Sequence, residues 1–266
     1  MQTGRMRTEV VSEPGRRERP NEDFAAVALP ASGRGGCLVV LDGVTPPRET
    51  GCLHSVSWFT ARLGGALTEL TVSCPDLTLA EILSKAIART AGAHAITCDL
   101  SHPRTPQATA VLVRWSADAV DHLVLSDSAL LLETADGSVL PVLDDRLARL
   151  PRTLLATDEL IDATLRNKEG GFFTAAADPS VADRAVTGSA PRERVRALAA
   201  LTDGAARWVE TFGEGDWAQC LGLVRKEGAR GLVDRVRAME EADRETRTHL
   251  GRSKTHDDAT VVFAEL

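Results

Sequence analysis

The sequence predicts an α+β fold in which antiparallel sheets carry helices on their outer faces. Short runs of β-branched and aliphatic residues, each bounded by Gly, Pro, Asp or Ser, read as strands. These runs gather in groups with helical spacings between the groups, whereas parallel sheets require strict βαβ alternation. With 43% hydrophobic residues, a chain of 266 can bury a core of ordinary size, as one large domain or at most two.

The expected strands open with "RTEVVSE" (7–13), "DFAAVAL" (23–29) and "GCLVVLD" (36–42). Apolar positions at helical spacing then fill 52–70 and 77–98, the second opening on "DLTLAEIL", a capped start. "ATAVLVRW" (108–115) and "HLVLSDSALLLET" (122–134) are the next strands, and a helical pattern begins at "DDRLARL" (144–150). "VRALAALTD" (195–203) is a strand, 205–227 and "GLVDRVRAMEEADRETR" (231–247) are helical, and "ATVVFAEL" (259–266) closes the chain. No internal repeat or low-complexity linker divides it, so a single domain over 1–266 is expected, with residues 1–18 allowed as a loosely ordered N-terminal segment.

Composition excludes several classes. A net charge of −7 argues against a nucleic-acid partner, which needs a basic surface to neutralise phosphates. The longest apolar stretches are broken by polar residues well short of the roughly 18 that span a bilayer, and the first twenty residues hold no apolar leader core. No membrane association is expected, and the cytoplasm is the default setting. Five cysteines (37, 52, 74, 98 and 220) are odd in number and scattered without a C-x-x-C, so they read as small core residues, with neither a disulfide framework nor a thiolate zinc site.

The chemistry concentrates where strands end. "VVLDG" stops on Asp42, "LVLSDS" on Asp127 and "LAALTDG" on Asp203; "HDDATVVF" places Asp257 and Asp258 before the last strand, and "NEDF" places Glu22 and Asp23 before another. A single strand-end Asp is usually a turn residue. Acids at five strand ends can meet at one sheet edge, where like charges repel unless a cation neutralises them. An oxygen-only cluster suits Mg²⁺ or Mn²⁺ better than zinc. His256 is the one histidine placed beside the acids, as a proton carrier or a turn residue; His54, His94, His102, His122 and His249 show no metal-ligand spacing and read as ordinary helix or surface positions.

Taken in order, these segments resemble the metal-dependent protein phosphatases of type 2C in their bacterial, single-domain form. The family's motifs correspond to "RPNEDF", "VVLDGV", "LSDSALLL", "LTDGAARWV" and "HDDATVVF", with "TPQATAVLVRW" as its Thr-rich strand, over about 20 to 265. The resemblance implies a four-layer α-β-β-α sandwich of two antiparallel sheets flanked by helices, with a two-metal site at one end. It implies that Asp42 bridges two Mn²⁺ or Mg²⁺ ions, that Gly43 offers its carbonyl, and that Asp203 and Asp257 ligate one ion. Glu22 and Asp23 act directly or through water, and Asp127 serves a weaker third ion. Asp42, Asp203 and Asp257 thereby become the catalytic set, activating a water that hydrolyses a phosphomonoester on a serine or threonine. Phosphorylated protein substrates, and a Ser/Thr kinase counterpart, are the implied partners.

Some positions depart from the family pattern. "DGVTPP" replaces the usual Gly-rich or His-containing continuation, so no general acid is assigned to that loop. Ser126 stands where the third motif has Gly, Ala129 where it often has Arg, and Asp258 where the last motif has Asn. The phosphate-binding arginine normally lies four residues before the Glu of the acidic pair; here Arg19 lies three before Glu22, so either Arg17 or Arg19 takes the role. A second reading, favoured by the altered loop, is a catalytically weak relative that binds phosphorylated partners as a regulator. A Ca²⁺-binding module is disfavoured, since no D-x-D-x-D-G loop is present.

Overall fold

The computed structural model describes residues 6–30, 35–46, 49–155, 157–251 and 254–266. Pro47, which ends the segment after Asp42, and residues 1–5 of the N-terminal segment lie outside the described residues.

One five-stranded antiparallel sheet has the order β1(Thr8–Glu13), β10(Ala259–Glu265), β9(Val195–Leu201), β6(Ala129–Thr134), β7(Val139–Leu143). The other runs β2(Phe24–Ala28), β3(Gly36–Leu41), β4(Ala110–Trp115), β5(Ala119–Leu125), β8(Val186–Pro191). The sequence leaves few polar positions on the central strands because both of their faces are buried. On β3, Leu38 and Val40 point between the sheets, against Val111, Leu130 and Val262, while Val39 and Leu41 point outward under the helices.

Two helices, α1(Val56–Ser73) and α2(Leu79–His94), cover the β2–β5 face. The Ser55 hydroxyl accepts the Trp58 N–H at the start of α1, and Val56, Phe59, Leu63 and Leu67 form its buried stripe. Thr78 and Glu81 make a reciprocal capping box at the start of α2. The opposite face is covered by α4(Asp203–Glu210) and α5(Trp217–Ala242), which close over the outward positions of β9 and β10, among them Leu201, Val261 and Phe263. The result is the expected α-β-β-α sandwich.

The differences from expectation have physical causes. The run 122–134 is two strands in different sheets, β5 and β6, and the chain crosses between sheets at Ser126, whose φ is +68°. The polar trio Ser126–Ser128 marks the crossing, but the runs on either side are equally apolar, so periodicity alone does not show that they lie in different sheets. The sheet edges β7 and β8 escape a hydropathy search because one contains Pro141 and the other, "VTGSAP", is half-exposed or exposed, with Gly188 and a closing Pro191 and only one large apolar residue. Residues 144–150 form turns, held where the Asp144 carboxylate accepts the Ser126 N–H at 2.8 Å and pairs with Arg146 at 2.7 Å. The helix of that region is the short α3(Asp158–Thr164). Asp203, taken as a strand end, is the first residue of α4. Of the two helical segments expected, 205–227 spans α4, the turn that follows it and the first part of α5, while 231–247 takes in the rest of α5 and runs past its end at Ala242; Gly228 (φ +82°) breaks α5, with the Glu9 carboxylate accepting the Ala229 N–H of the resumed helix at 2.7 Å. Within the segment allowed as loosely ordered, residues 8–13 form β1.

The left-handed Ser126 has a testable consequence. A side chain costs about 1–2 kcal/mol in that region, and β-branching makes it worse. Ser126→Gly is expected to be at least as stable as the parent chain and Ser126→Val less stable by about 2 kcal/mol, measured by urea unfolding; equal stability of the two variants would refute the assignment.

Candidate metal centre

Strand register brings the acids together. Phe24 pairs with Leu41, which sets Asp23 opposite Asp42 at one end of the second sheet. Ala110 pairs with Leu125, placing Asp127 at the same end, and Leu201 pairs with both Val261 and Ala129, which brings Asp203 and Asp257 there from the first sheet. The centre therefore lies where both sheets end, with each acid on a residue just outside a strand.

The backbone is fastened around Asp42. Its N–H bonds the Thr109 hydroxyl at 3.2 Å, its carbonyl accepts the Thr109 N–H at 2.9 Å, and its carboxylate accepts the Asp203 N–H at 3.3 Å. That last donor sits at the N-terminus of α4, where free N–H groups favour an anion. Gly43 is required: a Cβ there would lie 2.5 Å from the Glu22 carbonyl oxygen. Asp23 accepts hydroxyl bonds on one oxygen, from Thr260 at 2.7 Å and Thr202 at 3.0 Å, while its other oxygen is buried with no partner. Glu22 accepts from the Thr45 hydroxyl at 2.7 Å.

Mutual proximity shows in the acidities. Burial, then the neighbouring Asp203, Asp23 and Asp127, push Asp42 well above the ordinary carboxylate range. Burial and the charges of Asp127 and Asp257 raise Asp203 to about 6. Burial raises Asp23 to about 8, against the two hydroxyl bonds that favour its anion. Burial also raises Asp127 and Glu22. Such perturbed groups at one edge mark a functional site.

Two cations hold Asp257: Lys254 at 2.9 Å and Arg207 at 3.2 Å. The Lys254 ammonium also bonds the Thr45 hydroxyl at 2.8 Å, joining the loop after Gly43 to the loop before β10. Sequence reasoning missed both residues. Arg207 follows Asp203 by one helical turn and Lys254 precedes Asp257 by three residues, so proximity to the motif acids was the available signal. Asp258 is turned to the backbone, accepting the N–H groups of Gly15 and Glu22, each at 2.7 Å. It therefore pins the N-terminal segment beside the acids, which explains an acceptor-only side chain at that position. The His256 ring bonds the buried Glu240 at 2.8 Å, so it belongs to an ion-pair network with Arg207 and Arg237.

A cleft of about 430 Å³ opens over the centre, with Glu22 and Asp257 on its floor and Arg16, Arg19, Thr45 and Lys254 on its walls. Arg19 and Arg16 line it; Arg17 does not. The donor set fits a hard divalent ion: the side-chain donors are carboxylate oxygens, and one Asp23 oxygen lacks any partner. Among the described residues no three of these carboxylates bring oxygens within 4.8 Å of one another. Lys254 and Arg207 both pair with Asp257, at the side of this group.

The only such trio among the described residues lies elsewhere, and it corrects the expectation for two cysteines and a histidine. Cys52 and Cys98 meet as a disulfide pair with the His94 ring beside them. The fold of α1 back along α2 brings together residues separated by 46 positions, which no local spacing reveals. Cys37 and Cys220 are buried core residues as expected.

No protein-family model matches the chain, and no curated protein matches it in sequence. Solved structures do match it in fold. The catalytic domain of serine threonine protein phosphatase PstP, in complex with two manganese ions, superposes with a TM-score of 0.58 at 18% identity, covering 98% of this chain and 97% of that one. Serine/threonine phosphatase Stp1 from Staphylococcus aureus gives 0.58 at 10% identity over 98% and 95%. Serine-threonine phosphatase 2C from Toxoplasma gondii gives 0.62 at 13% identity over 97% and 94%. The chain thus has the type 2C phosphatase fold over nearly its whole length.

Proposed function

We propose that this chain is a Mn²⁺- or Mg²⁺-dependent serine/threonine phosphoprotein phosphatase formed as one domain, working in the cytoplasm on phosphorylated proteins opposite a Ser/Thr kinase. One observation carries the reading: acids from five separate strand ends gather at one end of a sandwich whose fold is shared with a phosphatase structure holding two manganese ions. No helix among the described residues is long and apolar enough to cross a membrane.

In this reading Asp42 would be shared by two ions, Glu22 and the Gly43 carbonyl would help hold one, and Asp203 and Asp257 the other. Asp23 acts through water, and Asp127 belongs to an accessory third ion. Divalent ions held there supply a water of lowered pKa and neutralise charge that develops on phosphorus. The chain's own residues do the rest. Arg19, with Arg16 beside it, faces the cleft and can grip phosphate oxygens with its planar fork. Arg17 lies off the cleft lining, so Arg19 is the better of the two candidates. Thr202 and Thr260 orient the Asp23 carboxylate by direct bonds. Lys254 lines the cleft beside Thr45 and adds a third positive group for the phosphomonoester.

The second reading, a weak relative that binds phosphorylated partners without turnover, draws on the Lys254–Asp257 pair, which places a fixed cation on an expected ligand. Hydrolysis of p-nitrophenyl phosphate and of a phosphothreonine peptide separates the two. The proposed enzyme turns both over in Mn²⁺ or Mg²⁺ and stops in EDTA. Activity that survives exhaustive chelation overturns the metal mechanism, and stoichiometric binding of the phosphopeptide without turnover supports the regulator.

A further inference from the structure

The segment after the acidic loop carries a second constellation that phosphate chemistry does not use. Cys52 lies ahead of α1, His94 is the last residue of α2, and Cys98 follows one turn later. The Cys98 N–H bonds the His94 carbonyl at 3.0 Å, so the turn leaving α2 presents both side chains on one side. The His94 Nδ1 lies 3.4 Å from the Cys52 sulfur. Backbone N–H groups point at both sulfurs, from Leu53 to Cys98 at 3.3 Å and from His54 to Cys52 at 3.4 Å. The trio's ligand atoms all lie within 4.8 Å of one another. The His54 ring is near, its centroid 6.0 Å from that of His94, and it stacks on Trp58 at 4.0 Å.

A disulfide accounts for the two sulfurs alone. It leaves unexplained why an imidazole that is only 2% exposed aims its Nδ1 at one of them. Two thiolates and one imidazole are a zinc donor set that leaves a fourth position for water, and the H-x₃-C interval from His94 to Cys98 falls within the short spacings of zinc ligands. N–H groups directed at sulfur suit a thiolate, which needs its charge dispersed when taken from water.

We propose that Cys52 and Cys98, in their reduced form, bind a zinc ion together with His94 Nδ1, with water completing the four positions. The ion ties the loop that follows Gly43 to the end of α2. Gly51 accepts the Asp99 N–H at 2.7 Å in the same corner, and the Val44 N–H bonds the Gln107 carbonyl at 3.0 Å further along both segments. Zinc would therefore brace the stretch that carries Thr45 to Glu22 and Lys254. The site uses none of the strand-end acids and does not depend on the phosphatase reading.

The test needs no activity measurement. The full chain, purified in a phosphine reductant and dialysed, is expected to retain about one zinc per chain by elemental mass spectrometry. Replacement by Co²⁺ should give the visible bands of a tetrahedral thiolate complex. Cys98→Ser and His94→Ala should lower zinc retention at least tenfold, while Cys74→Ser, elsewhere on the chain, retains it. Because a variant can fail to fold, the cobalt spectrum of the unmodified chain stands as the independent measurement. A fully reduced chain that retains no zinc and shows no thiolate–cobalt band overturns the proposal. So does a Cys52–Cys98 bond that persists, with no zinc bound, after purification in reductant.

Discussion

Asp42→Asn is expected to remove turnover of a phosphothreonine peptide by more than about a hundredfold, since even residues that merely support metal ligands typically cost 10–100-fold when mutated. Asp42 accepts the Asp203 N–H and shares its field with Asp203, Asp23 and Asp127, so it stands at the middle of the acidic group. A neutral amide there weakens the hold on both proposed ions at once. Asp127 sits at the crossover between the sheets, takes the Ser126 hydroxyl at 3.1 Å, and feels Asp144 more than it feels Asp42. Asp127→Asn is expected to keep measurable turnover and to shift the metal dependence. Equal losses in the two variants would remove Asp42 from the bridging position.

The second large effect is on stability. Metal-free, the chain holds Asp42, Asp203, Asp23 and Asp127 close enough to raise one another's pKa, and that repulsion opposes folding. A divalent ion that binds only the native state adds RT ln(1 + [L]/Kd), about 2.7 kcal/mol at a hundredfold excess over Kd. For a chain of this size that is a rise in Tm of about 5–10 °C.

The pH dependence has a definite sign. Asp203 at about 6 and Asp23 at about 8 hold protons in the folded state that the unfolded chain has already released. The native state therefore binds more protons above about pH 4, and stability falls as pH rises toward 8. In EDTA, Tm should be lower at pH 8 than at pH 6. Metal binding needs the deprotonated acids, so the Mn²⁺-induced rise should be larger at pH 8. Asp203→Asn should leave the metal-free form no less stable and blunt the Mn²⁺ response. A wild-type melt unmoved by Mn²⁺ at either pH would reduce the strand-end acids to independent turn caps.

The candidate site was legible for a local reason. A buried strand must end at the core's edge, and an acid at that edge is conspicuous against the apolar run before it; Asp42 after "LVVL" and Asp203 after "LAALT" are both of this kind. Their convergence was an inference from number and order, and register made it geometry when Phe24 met Leu41 and Leu201 met both Val261 and Ala129. The basic partners had no such contrast. Lys254 and Arg207 look like any surface cations until the loop before β10 and the first turn of α4 meet at Asp257.

By itself the sequence determined the α+β class, most of the strands, and the acids that end them, because hydropathy and turn chemistry act over a few neighbouring residues. Only the tertiary structure decided that 122–134 divides between two sheets, that Asp258 clamps Gly15 and Glu22, and that Cys52, His94 and Cys98 share one corner. Each of those depends on groups that are far apart along the chain, and their pairing is set by which faces must be buried together. A one-dimensional pattern records which residues seek the interior, but not which other residues they meet there.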